Sequence, residues 1–107
     1  MAKIIWSDKA TLAKEKVLEY GYREFGEYSV RKMYRQMVKI QDLLELFPLS
    51  GKHEPLLDEL EMDYRSMVFH AHYKLVYYFN EQTDEVRILD IWDTRRAPQN
   101  LRQGFQA

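Results

Sequence analysis

Several side chains of this sequence have the chemistry to act together on a phosphate group: Glu54, Arg65, Lys74, Arg95 and Arg96. Arginine presents a planar fork of N–H donors to phosphate oxygens and stays charged at any physiological pH. Cleavage of RNA by its own 2′-hydroxyl needs a base for that proton, cations for the charge on phosphorus, and an acid for the leaving 5′-oxygen. Glu54 is the candidate base, and Arg65, Lys74 and Arg95 are candidate cations. The acid has no evident candidate, because arginine does not release its proton.

The arginine pair lies where a strand-like run ends, in the stretch ILDIWDTRRAP. Ligands are often met where regular backbone structure stops. We expect Asp90 and Asp93 to hold the two arginines in place. We also expect Trp92, Asp93 and Arg96 to contact a substrate there.

Three runs rich in β-branched and aromatic residues are predicted to be strands, at Tyr64–His70, Tyr73–Phe79 and Val86–Trp92. The connections between them are short, which favours a three-stranded antiparallel meander. Alternation in the middle run places one set of side chains against the helices, namely Tyr73, Leu75, Tyr77 and Phe79. Lys74 and Tyr78 would then project from an open face, where Tyr78 and Trp92 would be available to a substrate.

The first half of the chain predicts a strand and two helices. Lys3–Trp6 is a short apolar strand, and Ser7 is a typical helix N-cap. Gly26 would end the first helix, and Ser29 would begin the second. The second helix has an apolar stripe at steps of three and four, formed by Val30, Met33, Tyr34, Met37, Ile40, Leu44 and Phe47. Its opposite side is basic, with Arg31, Lys32, Arg35 and Lys39.

These elements predict an α+β fold, with an N-terminal strand, a two-helix hairpin and a meander whose sheet is covered by helices on one face. A chain of 107 residues that is 46% hydrophobic suits a single domain, residues 1–107. No apolar run is long enough for a membrane span or a signal peptide, so we expect a cytoplasmic protein. The formal charge of −1 means that any phosphate contact must come from a local patch.

The order of these segments resembles that of the RelE/ParE superfamily of bacterial type II toxins. The resemblance rests on KIIWSDKA at the start, FPLSGKHEPL between helix and sheet, YRSMVFHAHYKLVYYF as the central hairpin and ILDIWDTRRAP at the end. It covers nearly the whole chain. It implies a RelE-like fold and a cognate antitoxin that forms a complex with the toxin. It also implies one of two targets, mRNA on the ribosome or DNA gyrase.

The resemblance also assigns roles to individual residues. Glu54 lies where YoeB-like ribonucleases have a general base, and Lys74 lies where such toxins usually have an arginine against the scissile phosphate. Arg65 matches the arginine that opens the first hairpin strand, and Arg95 and Arg96 match the basic pair after the last strand. RNA-cleaving members commonly have a histidine or tyrosine near that end. Residues 93–107 contain neither.

Two classes of function follow. The first is cleavage of mRNA at the ribosome by Glu54, Arg65, Lys74 and Arg95, without metal or other cofactor. The second is a toxin that binds and poisons DNA gyrase without catalysis, which the missing acid and the low net charge favour. A toxin fold that has lost its toxicity is a third interpretation. His70 and His72 are spaced to share a metal, but the sequence offers no third ligand and we expect no metal site.

Overall fold

A five-stranded sheet and one long helical element form the computed structural model, which describes residues 1–57, 60–70 and 72–95. The elements are β1 (Lys3–Trp6), α1 (Asp8–Leu46), β2 (Lys52–His53), a single 3-10 turn (Pro55–Leu57), β3 (Arg65–Phe69), β4 (Tyr73–Asn80) and β5 (Glu85–Asp93). The three predicted runs correspond to β3, β4 and β5, and each end agrees within one residue. The α+β class is confirmed.

The sheet has the order β1-β5-β4-β3-β2. β1 pairs in parallel with β5, and the other neighbours are antiparallel. The prediction of a three-stranded meander was therefore incomplete. The N-terminal strand joins the same sheet through β5. Lys52 and His53, in the stretch FPLSGKHEPL that we placed between helix and sheet, add a fifth strand beside β3. Both strands gain hydrogen-bond partners that an isolated segment would lack.

The helical element α1 begins at a cap and is broken once. The Ser7 hydroxyl oxygen accepts a hydrogen bond of 3.0 Å from the backbone N–H of Ala10, which satisfies one of the unpaired donors of the first turn. Gly26 has φ 86° and ψ 179°, a conformation that only glycine adopts without strain. The predicted interruption at Gly26 is confirmed. The predicted pair of separate helices with a loop up to Ser29 is not, because helical structure resumes directly after the glycine.

The break divides α1 into a first arm, residues 8–25, and a second arm, residues 27–46. A side chain at Gly21 would lie 3.5 Å from the Met33 side chain, although a straight helix would separate these residues by about 18 Å. The two arms therefore lie against each other. Trp6 Nε1 donates to Gln41 Oε1 at 3.0 Å, which ties β1 to the second arm. None of the helical structure in the described residues is long and apolar enough to cross a bilayer.

The main core lies between α1 and one face of the sheet. It contains the predicted apolar residues of the second arm and the predicted inward face of β4, including Met33, Met37, Ile40, Leu44, Tyr73, Leu75 and Tyr77. Phe79 packs at its edge. Tyr34 and Phe47, which we expected in the same stripe, are 52% and 60% exposed. Phe47 is the C-terminal cap of α1, so it lies beyond the packed turns.

The opposite face of the sheet is covered where Val76 and Trp92 lie, contrary to the sequence-based expectation of an open face, although Val68 on β3 is 65% exposed. Leu57, Val76 and Trp92 form a second buried cluster, and Leu56, Leu60 and Tyr64 pack against it. Described residues between β2 and β3, namely Leu56, Leu57, Leu60 and Tyr64, therefore cover this part of the face. The physical reason is that Val76 and Trp92 are large apolar groups, whose burial is favourable wherever chain is available to cover them.

Candidate functional site

Glu54 and Lys74 form a buried ion pair on the second face of the sheet. Lys74 Nζ lies 2.7 Å from each carboxylate oxygen of Glu54. The Glu54 side chain is 1% exposed, and that of Lys74 is 13% exposed. Ser66 Oγ donates to Glu54 Oε2 at 2.7 Å. The sequence-predicted base and one predicted cation are thus brought together, but each neutralises the other.

The register of the sheet explains how this pair arises. Lys74 on β4 lies opposite Val68 on β3 and Trp92 on β5, and such partners share one face. Glu54 follows β2 directly, and its backbone N–H donates to Tyr64 O at 2.9 Å. This backbone contact directs the carboxylate over Ser66 and Lys74. Val76 and Leu57, which are buried beside the pair, limit the access of water.

Two aromatic residues that we expected to meet a substrate lie on this face. Trp92 is only 4% exposed and belongs to the buried cluster with Leu57 and Val76. Tyr78 is half-buried, and its ring meets that of Tyr64 edge to face, with the centroids 6.2 Å apart. Both rings therefore have packing partners within the chain.

Arg65 lies on the other face of the sheet. It is opposite Tyr77 in the register, so it shares the face that packs on α1. Its Nη1 donates to Leu49 O at 3.1 Å and to Gly51 O at 2.9 Å, and its Nε lies 3.1 Å from Asp63 Oδ2. The guanidinium thus holds the turn before β2. It does not join Lys74.

A histidine that sequence reasoning missed lies beside Arg65. His53 Nδ1 is 2.7 Å from Asp63 Oδ1, and His53 Nε2 is 3.5 Å from Arg65 Nη2. The imidazole and the carboxylate are both more than half exposed. In the sequence, His53 directly precedes the candidate base Glu54, and this was the one indication of its position. Its contact with Asp63 depends on the path of the chain into β3, which the sequence does not reveal.

Arg95 is held by Asp93 at the end of β5, as we expected. Its Nε and Nη2 donate to the two carboxylate oxygens at 3.0 and 2.7 Å. Asp90 instead lies 3.6 Å from Lys9 and accepts a hydrogen bond of 2.9 Å from the Ile91 N–H. Arg96 lies outside the described residues.

The hydrogen bonds from Arg95 hold the pKa of Asp93 below its usual range. Replacing Arg95 with glutamine should therefore raise the pKa of Asp93 towards that of an ordinary aspartate. A lowered carboxylate pKa contributes stability above the unfolded-state pKa, and that contribution disappears as the pH falls through the folded-state value. The free energies of unfolding of wild type and R95Q should thus differ at neutral pH and become equal in acid. A pH titration of the Asp93 carboxyl carbon by NMR measures the shift, and an unchanged midpoint in R95Q would contradict it.

A groove of about 690 Å³ lies between the first arm of α1 and the end of β5, and we call it the α1 groove. One helical face lines it along its length: Lys9, Leu12, Ala13, Lys16, Val17 and Tyr20. Tyr73 and residues 90–93 and 95 form the other side. Leu12 is 56% exposed and Tyr20 is 40% exposed, so apolar surface faces solvent at both ends. The sequence placed Trp92, Asp93 and Arg95 at a working surface, but it did not indicate that the first arm forms the opposite wall.

The comparisons with known proteins agree with this architecture. A chain of the chromosomal ParDE TA system from P. aeruginosa superimposes with a TM-score of 0.67 at 16% identity, over 87% of this chain and 96% of that one. A metal-bound toxin from Helicobacter pylori gives 0.66 at 19% identity, over 89% and 97%. The intact E. coli RelBE toxin–antitoxin complex contains a chain with a TM-score of 0.54 at 12% identity, over 90% and 100%. At these identities the likeness concerns the fold.

Sequence comparison gives the family directly. No curated protein sequence matches the chain. The sequence model for the ParE toxin of the type II toxin–antitoxin system parDE matches residues 4–98, which is most of the chain. The RelE/ParE resemblance is therefore confirmed, and the chain belongs to the family of ParE toxins of type II toxin–antitoxin systems.

Proposed function

We propose that this toxin inhibits growth by binding a protein target, with DNA gyrase the first target to test, and that it does not cleave mRNA. The observation that carries the proposal is the buried ion pair of Glu54 and Lys74. A carboxylate that already accepts bonds from Lys74 and Ser66 has little capacity left to take a proton from a ribose hydroxyl.

The positions of the other candidate groups support the same proposal. Arg65 lies on the opposite face from Lys74 and donates to backbone carbonyls. Arg95 is bound to Asp93 at the end of β5. Cleavage through a five-coordinate phosphorus needs several cations around one point. Arg65, Lys74 and Arg95 do not surround a common point.

The family suggests a partner and a location. Similar folds occur in the ParDE system of P. aeruginosa and in the E. coli RelBE toxin–antitoxin complex. We therefore propose that a cognate antitoxin binds and neutralises this chain in a hetero-oligomer. We also propose that the complex acts in the cytoplasm, where both candidate targets are found.

The alternative is the ribosome-dependent ribonuclease, favoured by the contact between a candidate base and a candidate cation. In that mechanism Glu54, Arg65, Lys74 and Arg95 would act on the phosphate. Tyr78, Trp92, Asp93 and Arg96 would contact the RNA. The ribonuclease mechanism requires the ion pair of Glu54 and Lys74 to separate when the substrate binds.

A double variant, Glu54→Gln with Lys74→Met, separates the two mechanisms. It removes the candidate base and cation together, so neither is left as an unpaired buried charge. We expect the double variant, expressed without antitoxin, to stop growth as wild type does, with intact transcripts and inhibited gyrase supercoiling. Mapped breaks in mRNA with wild type that disappear in the double variant would establish the ribonuclease instead. Normal growth with wild type would identify a non-toxic member of the family.

A further inference from the structure

Three cations form a line on the solvent-facing side of the second arm, which we call the basic strip: Lys32, Arg35 and Lys39. All three residues are exposed. Steps of three and four residues keep them on one side of the helix, opposite the buried Met33 and Met37. A rise of about 1.5 Å per residue places the three positions within about 10 Å along the helix axis.

The basic strip differs from the arginines nearer the break in α1, because those arginines have acidic partners. Arg23 Nη1 lies 3.8 Å from Glu19 Oε1, and Arg31 Nη2 lies 2.6 Å from Glu27 Oε1. No carboxylate in the described part of the chain forms an ion pair with a side chain of the strip. Asp42, three residues beyond the strip, marks its end. The strip is therefore a local concentration of uncompensated positive charge.

The spacing of the strip also places like charges next to one another. Arg35 is three residues after Lys32 and four residues before Lys39. Like charges at these spacings destabilise a helix, whereas opposite charges at the same spacings would support it. A local arrangement that disfavours its own element is typical of a surface that serves binding. The partner expected for this surface is an anion that relieves the repulsion.

A line of cations matches a line of anions at regular spacing. One strand of duplex DNA has a phosphate per about 3.4 Å of helix axis, so about three phosphates lie within the length of the strip. Tyr28 lies four residues before Lys32 and is 78% exposed, and its hydroxyl is a further donor for a phosphate oxygen. Unpaired strands are instead bound in grooves with several stacking rings. The convex side of a helix therefore favours a duplex.

We propose that the basic strip binds the phosphate backbone of duplex DNA, independently of base sequence. The three cations contact neighbouring phosphates, and Tyr28 donates a further hydrogen bond. The net charge of −1 does not attract DNA to the whole molecule, so binding is local to the second arm and sensitive to salt. DNA binding by the chain does not depend on the proposed function. Only its use in holding the DNA that gyrase binds rests on that function.

Fluorescence anisotropy tests the binding with the purified full chain, a labelled twenty-base-pair duplex of mixed sequence, and neither gyrase nor antitoxin. We expect a Kd below about 100 μM at about 50 mM salt. Affinity should fall about 40-fold when salt is raised from about 50 to about 200 mM, as expected for contacts with three phosphates. No binding at millimolar protein would overturn the proposal. Tighter binding of duplex RNA, of an unpaired DNA strand or of a polyglutamate peptide of equal charge would also overturn it.

Two triple variants separate the basic strip from net charge. The strip variant has glutamine at all three strip positions, since glutamine has a helix propensity close to that of lysine and arginine. The control variant has glutamine at three exposed lysines elsewhere and carries the same net charge: Lys3, Lys16 and Lys52. We expect the strip variant to bind the duplex at least tenfold more weakly than wild type, and the control variant less than threefold more weakly. Equal losses in the two variants would overturn the proposal.

The single variant Lys39→Gln tests the number of phosphate contacts. It removes one contact, so the slope of log affinity against log salt should become shallower by about 0.9. The strip variant should unfold at a temperature no lower than wild type, because it lacks the like-charge neighbours. An unchanged slope in K39Q, or a lower melting temperature of the strip variant by circular dichroism, would overturn the proposal. None of these results bears on gyrase inhibition.

Discussion

Replacing Lys74 with methionine should lower the free energy of unfolding by about 3–5 kcal/mol, because it leaves a buried carboxylate without its counter-charge. Glu54 is 1% exposed, and its remaining donors would be the Ser66 hydroxyl and the Leu56 N–H at 3.4 Å. Two neutral hydrogen bonds do not replace the ammonium. Urea unfolding followed by circular dichroism gives the change, provided that the slope with denaturant stays the same.

Two further proteins control this prediction. Lys39→Met removes an exposed lysine from the second arm and should change stability by no more than about 0.5 kcal/mol. The double variant E54Q/K74M should recover most of the loss, since a neutral pair needs no counter-charge in a buried site. A K74M protein as stable as K39M would show that the pair is hydrated and weak, and it would remove the main support for a protein-binding toxin.

This stability effect matters for any assay of toxicity. A single change at Glu54 or Lys74 can abolish growth arrest by unfolding the protein, which would imitate the loss of a catalytic group. The double variant avoids that ambiguity, because we expect it to keep the fold while it lacks both candidate groups. Toxicity should therefore be compared between wild type and E54Q/K74M, with stability measured on the same proteins.

Replacing Gly51 with alanine should lower the free energy of unfolding by about 1–3 kcal/mol through overpacking. The added Cβ would lie 2.6 Å from the Tyr77 hydroxyl oxygen and 2.8 Å from a ring carbon. Tyr77 is fully buried and cannot move aside. Its hydroxyl accepts from the Gly51 N–H and donates to Pro48 O, both at 2.9 Å, so the substitution also disturbs a paired turn. Chemical denaturation provides the measurement.

Ser50→Ala is the matched control for this turn. Ser50 is the exposed neighbour of Gly51, and its substitution should be nearly neutral. Tyr77→Phe should cost about 1–3 kcal/mol, because it leaves the buried Gly51 N–H without an acceptor. Burial raises the pKa of Tyr77, so the hydroxyl remains a donor across the physiological range. A G51A protein with the stability of S50A would mean that the turn is looser than its contacts indicate.

The elements that sequence reasoning predicted well are those determined by local pattern. The buried side of β4 follows from the alternation over Tyr73–Phe79, and the buried side of the second arm follows from its apolar stripe. Gly26 marked the break in α1, because a positive φ selects glycine. The two-residue strand Lys52–His53 was missed since so short a segment has no pattern of its own. It is a strand only because β3 pairs with it.

The candidate site depended on register, which local pattern does not reveal. Arg65 and Ser66 are adjacent in the chain and lie on opposite faces of the sheet. A shift of one residue would have placed Arg65 with Lys74 and Glu54. In the observed register Ser66 joins that pair, and Arg65 instead holds the turn around Gly51.

The sequence alone determined the fold class, the strand runs of the sheet, the apolar side of α1 and the family, because these follow from residue periodicity and from the order of segments. Tertiary structure decided whether the charged residues cooperate. In the folded chain Glu54 contacts Lys74, and both lie apart from Arg65 and Arg95. Trp92 is buried, and a groove lies between α1 and β5. Distances between residues far apart in the chain are set by strand register and by the fold-back at Gly26, and neither is encoded in the spacing of the charged residues themselves.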